Sequence, residues 1–122
     1  MKKVMFILIF LKLAMISCAE ERTITILTPS GGDDYSNGCT SMSPLPITWE
    51  SNSYTGSVTI TLENKTIGYT RILRAQNPND GSINPSGEFN YNTVYGCQDG
   101  FSVTITHNES GVSDTSGKFT LW

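Results

Sequence analysis

The side chains able to do covalent or metal chemistry are few: one histidine, His107, three cysteines, Cys18, Cys39 and Cys97, and eleven carboxylates in 122 residues. His107 follows an alternating segment with no Ser or Cys nucleophile motif beside it, so it reads as a solvent-facing strand-end residue rather than a catalytic base. A single histidine and scattered cysteines exclude most zinc sites. Asp80, between Asn79 and Gly81, invites a calcium reading, but Gln76 and Pro78 stand where oxygen ligands are required, and Asx-turn chemistry explains the segment better. Asp33, Asp34 and Asp114 would share a cation only if folding gathered them. Carboxylate pairs for glycoside hydrolysis occur in any acidic chain and single out no residue. The expectation is a protein that is not an enzyme, with no catalytic residues, no metal and no cofactor.

Recognition chemistry remains. Aromatic rings stack on sugars, and tyrosines make efficient contacts at protein interfaces. Tyr69 and Tyr91 fall on alternating segments and are expected to fill the core. Tyr54 and Tyr95 fall in loops and are the ligand-binding candidates. Asn64-Lys65-Thr66 and Asn108-Glu109-Ser110 fit the glycosylation sequon near predicted strand ends, whereas Asn84-Pro85-Ser86 is excluded by its proline. Asn64 and Asn108 are therefore the N-glycosylation candidates, on the condition of a eukaryotic source.

An address label precedes these residues. Lys2 and Lys3 form a positive n-region, an apolar stretch follows to residue 16 with Lys12 interrupting it, and Ser17-Cys18-Ala19 presents small residues to a signal peptidase. The stretch is shorter and more broken than the roughly 20 apolar residues a bilayer span requires. Residues 1–19 are expected to be a secretory signal peptide and residues 20–122 a single exported domain. A second reading notes that Met15-Ile16-Ser17-Cys18 loosely resembles a bacterial lipobox, with Met15 where that motif prefers Leu. On that reading Cys18 is lipidated and the protein is membrane-tethered.

Either outcome removes Cys18 from the folding problem. Cys39 and Cys97 are then the only thiols, and an exported pair is expected to form a disulfide. Closing so long a loop stabilises the fold by about 3–4 kcal/mol in the chain-entropy account. Loss of the leader also removes three of the eight basic residues, so five face eleven acidic ones and the net charge becomes −6. A surface of that sign repels phosphate backbones and argues against a nucleic-acid partner.

The exported segment reads as strands. Residues 22–27, 47–50, 57–62 and 101–106 alternate polar with apolar, the period of a half-buried strand. Residues 66–73 are a plausible further strand with Ile67, Tyr69 and Ile72 inward, residues 88–91 a short one, and residues 118–122 the last. The turn chemistry of residues 77–82 cannot form an interior strand. About seven strands over about a hundred residues suggest two packed antiparallel sheets, a β-sandwich. The expected core is Trp49, Val58, Ile60, Leu62, Phe101, Val103, Ile105, Phe119 and Leu121.

Several blocks in order also resemble one family. They are Ile26-Leu27-Thr28-Pro29 with Gly31-Gly32, Tyr35 and Gly38; Ile47-Thr48-Trp49; Val58-Thr59-Ile60-Thr61-Leu62; Pro78-Asn79-Asp80-Gly81-Ser82; Phe101-Ser102-Val103-Thr104-Ile105-Thr106; and Val112-Ser113-Asp114-Thr115-Ser116 leading into Phe119-Thr120-Leu121. Together they are similar to the secreted immunoglobulin-like domain of the KRE/KNH-like family of yeast cell-wall synthesis and Ser/Thr-rich GPI-anchored proteins. That resemblance implies an all-β, immunoglobulin-like antiparallel β-sandwich outside the cell, often wall-associated and in some members linked to β-glucan assembly. It supplies no catalytic residues. The expected function is an exported module that binds cell-wall or matrix polysaccharide. The alternative is a secreted protein–protein interaction module, an effector or adhesion factor with an extracellular protein as partner.

Overall fold

A computed structural model describes residues 21–36, 44–85 and 97–121. Among these there is no helix, and nine strands follow in order: β1 Ile24–Thr28, β2 Asp34–Tyr35, β3 Ile47–Ser51, β4 Ser57–Asn64, β5 Tyr69–Pro78, β6 Ser82–Ile83, β7 Gln98–His107, β8 Ser113–Thr115 and β9 Phe119–Leu121. They form two sheets. One has three strands in the order β1-β3-β6; the other has six, in the order β2-β9-β7-β4-β5, with β8 also paired to β7. The expected leader, residues 1–19, and Cys39, residues 88–91 and Tyr95 lie outside the described residues.

Alternation in the sequence becomes alternation in space. Along β4, Val58, Ile60, Leu62 and Asn64 are buried and the residues between them are half-exposed. Strand β7 pairs with β4 in continuous register, Val58 opposite His107 through Glu63 opposite Ser102, so Val103 and Ile105 fall on the same inner face. Ile24, Ile47 and Trp49 from the small sheet and Val58, Ile60, Leu62, Phe101, Val103, Ile105, Phe119 and Leu121 from the large one join Leu45 in a single buried cluster. All nine residues expected in the core belong to it. Asp114 on β8 ties the sheets together at one side, where its Oδ2 accepts the backbone N–H of Ile26 on β1 at 2.8 Å.

Two expectations change, and a third holds with a qualification. Ile72 points outward and is 59% exposed, while Leu73 packs against the core. Parity explains the exchange: Ile72 is out of phase with Tyr69 and lies opposite the outward-facing Thr61, and the next pair, Ile60 opposite Arg74, leaves Leu73 as an extra residue on β5. An extra residue of this kind swaps the faces of everything beyond it. Asn77 and Pro78 do end a strand, but β5 is the last strand in its sheet's order, where a proline costs no ladder bond on the inner side. Finally, the sheets are not wholly antiparallel, because β2 pairs with β9 in parallel, Asp34 opposite Thr120 and Tyr35 opposite Leu121.

Tyr35 anchors that parallel pair. Its ring meets Phe119 edge-on at 5.7 Å, and its hydroxyl donates to Asp33 Oδ2 at 2.8 Å. Burial, then the hydrogen bond to Asp33 and the Asp33 charge, push the phenol up from 10.0 to about 12. A folded-state value above the unfolded one means that this contribution is intact below pH 10 and is lost as pH rises towards 12. Denaturant melts across that window should show stability falling more steeply for the wild type than for Tyr35→Phe. Parallel decline of the two proteins would contradict the assignment.

Candidate functional site

The site is best built outward from Trp49. Its ring is core, and a buried indole N–H requires an acceptor. Asn79 provides it: Trp49 Nε1 donates to Asn79 Oδ1 at 2.8 Å, and Asn79 is only 3% exposed. The same side chain turns its Nδ2 towards the segment joining β3 to β4, donating to Ser53 O at 3.1 Å and Thr55 O at 3.2 Å. Sequence reasoning treated Asn79 as surface turn chemistry and missed this role. The available signal was the indole itself, which demands a polar partner wherever Trp49 is buried.

His107 completes the support, and its predicted solvent-facing position is corrected: it is 2% exposed. Ser110 N–H donates to its Nδ1 at 3.2 Å, which leaves Nε2 to donate to Thr55 O at 3.0 Å. Thr55 O therefore receives both Asn79 and His107. On the outer side, Arg22 Nη1 donates to Ser53 O and Nη2 to Thr55 Oγ1 at 3.0 Å. Glu109 lies 3.5 Å from His107 Nε2, and the Ser57 backbone N–H that it accepts holds its carboxyl below the usual carboxylate range. These groups hold the loop that joins β3 to β4.

The loop presents Tyr54. Its side chain is 53% exposed, and its ring lies over Gly81, where an added Cβ would meet Tyr54 Cε1 at 3.5 Å and Trp49 O at 3.4 Å. Gly81 has φ 96°, which L side chains rarely adopt, so the turn beneath the ring depends on glycine there. Tyr54 borders a groove of about 280 Å³ lined also by Thr23, Thr25, Glu50, Ser51 and Asn52. The β1–β3 register sets the far wall, with Thr25 opposite Glu50. Asn52 is engaged by the segment just before β1, accepting Thr23 N–H at 3.0 Å and donating to Glu21 O. By contrast, the Tyr54 phenol, the Thr23 and Thr25 hydroxyls and the Glu50 carboxylate have no hydrogen-bond partner among the described residues.

The other sequence candidates are dispersed. Asp33 accepts Ser30 N–H and Tyr35, Asp34 accepts Ser36, and Asp114 accepts Ile26, so the three carboxylates are spent separately. No cluster of three His, Cys, Asp or Glu suited to a metal occurs among the described residues. Asn64 is corrected as a glycan acceptor: it is 1% exposed, its Nδ2 donates to Asp99 O at 2.8 Å, and its Oδ1 accepts Thr66 N–H. A sugar on Nδ2 has no room there, because Gly100 packs on the same amide. Asn108 is exposed, although its Nδ2 donates to Ser57 Oγ at 3.0 Å and its Oδ1 accepts Thr59 Oγ1 at 2.7 Å. Cys97 lies immediately before β7 and is half-buried; Cys39 and Tyr95 are outside the described residues. A larger hollow of about 430 Å³, lined by Gly32, Asp99, Gly100, Lys118, Phe119 and Thr120, carries no exposed aromatic ring. Comparison of the chain with known protein families, with curated proteins and with solved structures gives no match.

Proposed function

We propose that this chain is an exported, non-enzymatic, immunoglobulin-like β-sandwich module that binds cell-wall or matrix polysaccharide through the Tyr54 groove. The observation that carries the reading is an exposed tyrosine ring, seated on backbone, beside hydroxyls and a carboxylate that have no partner within the described residues. A sugar needs this combination: an aromatic face for its C–H surface and polar groups for its hydroxyls. The rigid support from Asn79 and His107 favours binding too, since a ligand need not pay to order the loop. The Cys39–Cys97 disulfide, the signal peptide and kinship with the KRE/KNH-like domains belong to the same proposal, and a glycan is assigned to Asn108 alone if the source is eukaryotic.

A protein partner would favour a compact apolar patch. The exposed large apolar side chains among the described residues are Leu27, Tyr54 and Ile72, and Ile72 is on the other sheet from Leu27. The test is retention of the oxidised protein on insoluble β-glucan, chitin and peptidoglycan side by side. Selective retention on one polymer, lowered about tenfold by Tyr54→Ala and largely kept by Tyr54→Phe, is the expected result. A parallel Tyr95→Ala variant reports whether the binding face continues beyond the described residues. No retention on any polymer would overturn the reading.

A further inference from the structure

We infer that the Tyr54 groove selects glycans bearing free primary amines, such as polymers of unacetylated amino sugar, over neutral or acidic ones. This rests on the polysaccharide reading and adds the chemistry of its ligand.

The groove has one ionisable wall. Glu50 projects from the outer face of β3, opposite Thr25 on β1, and borders the same hollow as the Tyr54 ring. No ion pair or hydrogen bond within the described residues occupies its carboxylate. The cation of the adjoining segment, Arg22, makes no ion pair with it and instead donates to Ser53 O and Thr55 Oγ1. A carboxylate and a tyrosine ring that border one groove are together suited to an ammonium group, which gains a charge-assisted hydrogen bond from one and a cation–π attraction from the other. The Thr23 and Thr25 hydroxyls can meet the sugar's own hydroxyls on the same wall.

Neutral glycans would use the ring and hydroxyls but leave Glu50 desolvated without compensation. Acidic glycans would meet repulsion from Glu50 and from an exported chain of net charge −6, five basic residues against eleven acidic ones. The charge pattern thus ranks ligands as cationic, then neutral, then anionic.

The test is calorimetric titration of the oxidised protein with short oligosaccharides of matched length: glucosamine oligomers, their N-acetylated forms and neutral β-glucan oligomers, at mildly acidic pH where the amines are protonated. Glucosamine oligomers should bind about tenfold more tightly than N-acetylated ones. Glu50→Gln should bring the two within about twofold, while Glu63→Gln, the same charge change on the six-stranded sheet, should leave the preference intact. Equal affinity for amine and acetylated oligomers overturns this inference and leaves the polysaccharide reading standing. A preference lost equally in both variants also overturns it, by showing attraction to net charge alone. Binding of none of the oligomers overturns both.

Discussion

Phe101→Ala is expected to cost about 3–5 kcal/mol of folding free energy, the range for emptying a buried aromatic position. Phe101 is fully buried and sits in a row of rings. It meets Tyr69 edge-on at 5.8 Å and tilts against Phe119 at 6.4 Å, and Phe119 in turn meets Tyr35 at 5.7 Å. That row links β5, β7, β9 and β2, so the cavity would lie where four strands share contacts. Net stability for a domain of about a hundred residues is about 5–15 kcal/mol, so the loss is a large fraction of it. Thermal melts should show Tm lowered by roughly 15–30 °C. Phe101→Leu, which refills much of the space, should lose less than half as much. A drop below about 1 kcal/mol in Phe101→Ala would show that these rings do not form the core described.

Asn79→Ala is expected to cost about 2–4 kcal/mol, and its effect should reach the groove beside Tyr54. The substitution strands the Trp49 indole N–H in the core without its acceptor and removes the donor to Ser53 O and Thr55 O. Leaving a buried polar group unsatisfied costs about 1–3 kcal/mol, and loss of the remaining bonds adds to it. Asn79→Asp separates the two halves of the role. It keeps an acceptor for the indole, loses both donors and places a charge in a site of low exposure. Hydrogen exchange of the Trp49 indole should accelerate in Asn79→Ala but much less in Asn79→Asp relative to the stability of each. Amide exchange at residues 53–55 should accelerate in both. Unchanged exchange in that segment would refute the claim that Asn79 holds the loop bearing Tyr54.

These two residues show how unevenly the sequence disclosed the fold. Phe101 was legible because it begins a run in which every second residue is apolar, and strand β7 buries that same face. Alternation is a local property and needs no knowledge of pairing. Ile72 misled because it is out of phase with Ile67, Tyr69 and Leu73: its apolar type outweighed its place in the alternation, and it lies outward opposite Thr61. Asn79 and His107 were misread for a related reason. Asn-Asp-Gly after a proline looks like surface turn chemistry, and a histidine ending a strand looks solvated. Both are buried by contacts from segments some 24 to 52 residues away in sequence.

The candidate site was legible in one residue and hidden in the rest. Tyr54 stood out as an aromatic in a polar loop. Thr23, Thr25 and Glu50 could not be assigned to it, since their meeting depends on the β1–β3 register, in which Thr25 is opposite Glu50. The turn at residues 78–82 was noticed for its composition, yet its contribution is geometric: Gly81, at φ 96°, makes the turn on which the Tyr54 ring lies. Composition singled out Tyr54, and long-range pairing decided which residues border the same groove.

The central claim is that the groove beside Tyr54 is where this protein meets a glycan. Its most direct test is mapping amide chemical shifts in the oxidised, isotopically labelled protein during titration with soluble β-glucan and chitin-derived oligosaccharides. Saturable shifts clustered on Thr23, Thr25, Glu50, Asn52 and Tyr54, and absent in Tyr54→Ala, are the predicted result. Saturable shifts confined to the outer face of the six-stranded sheet, at Thr61, Thr104 and Thr106, would contradict it, as would the absence of shifts with every oligosaccharide.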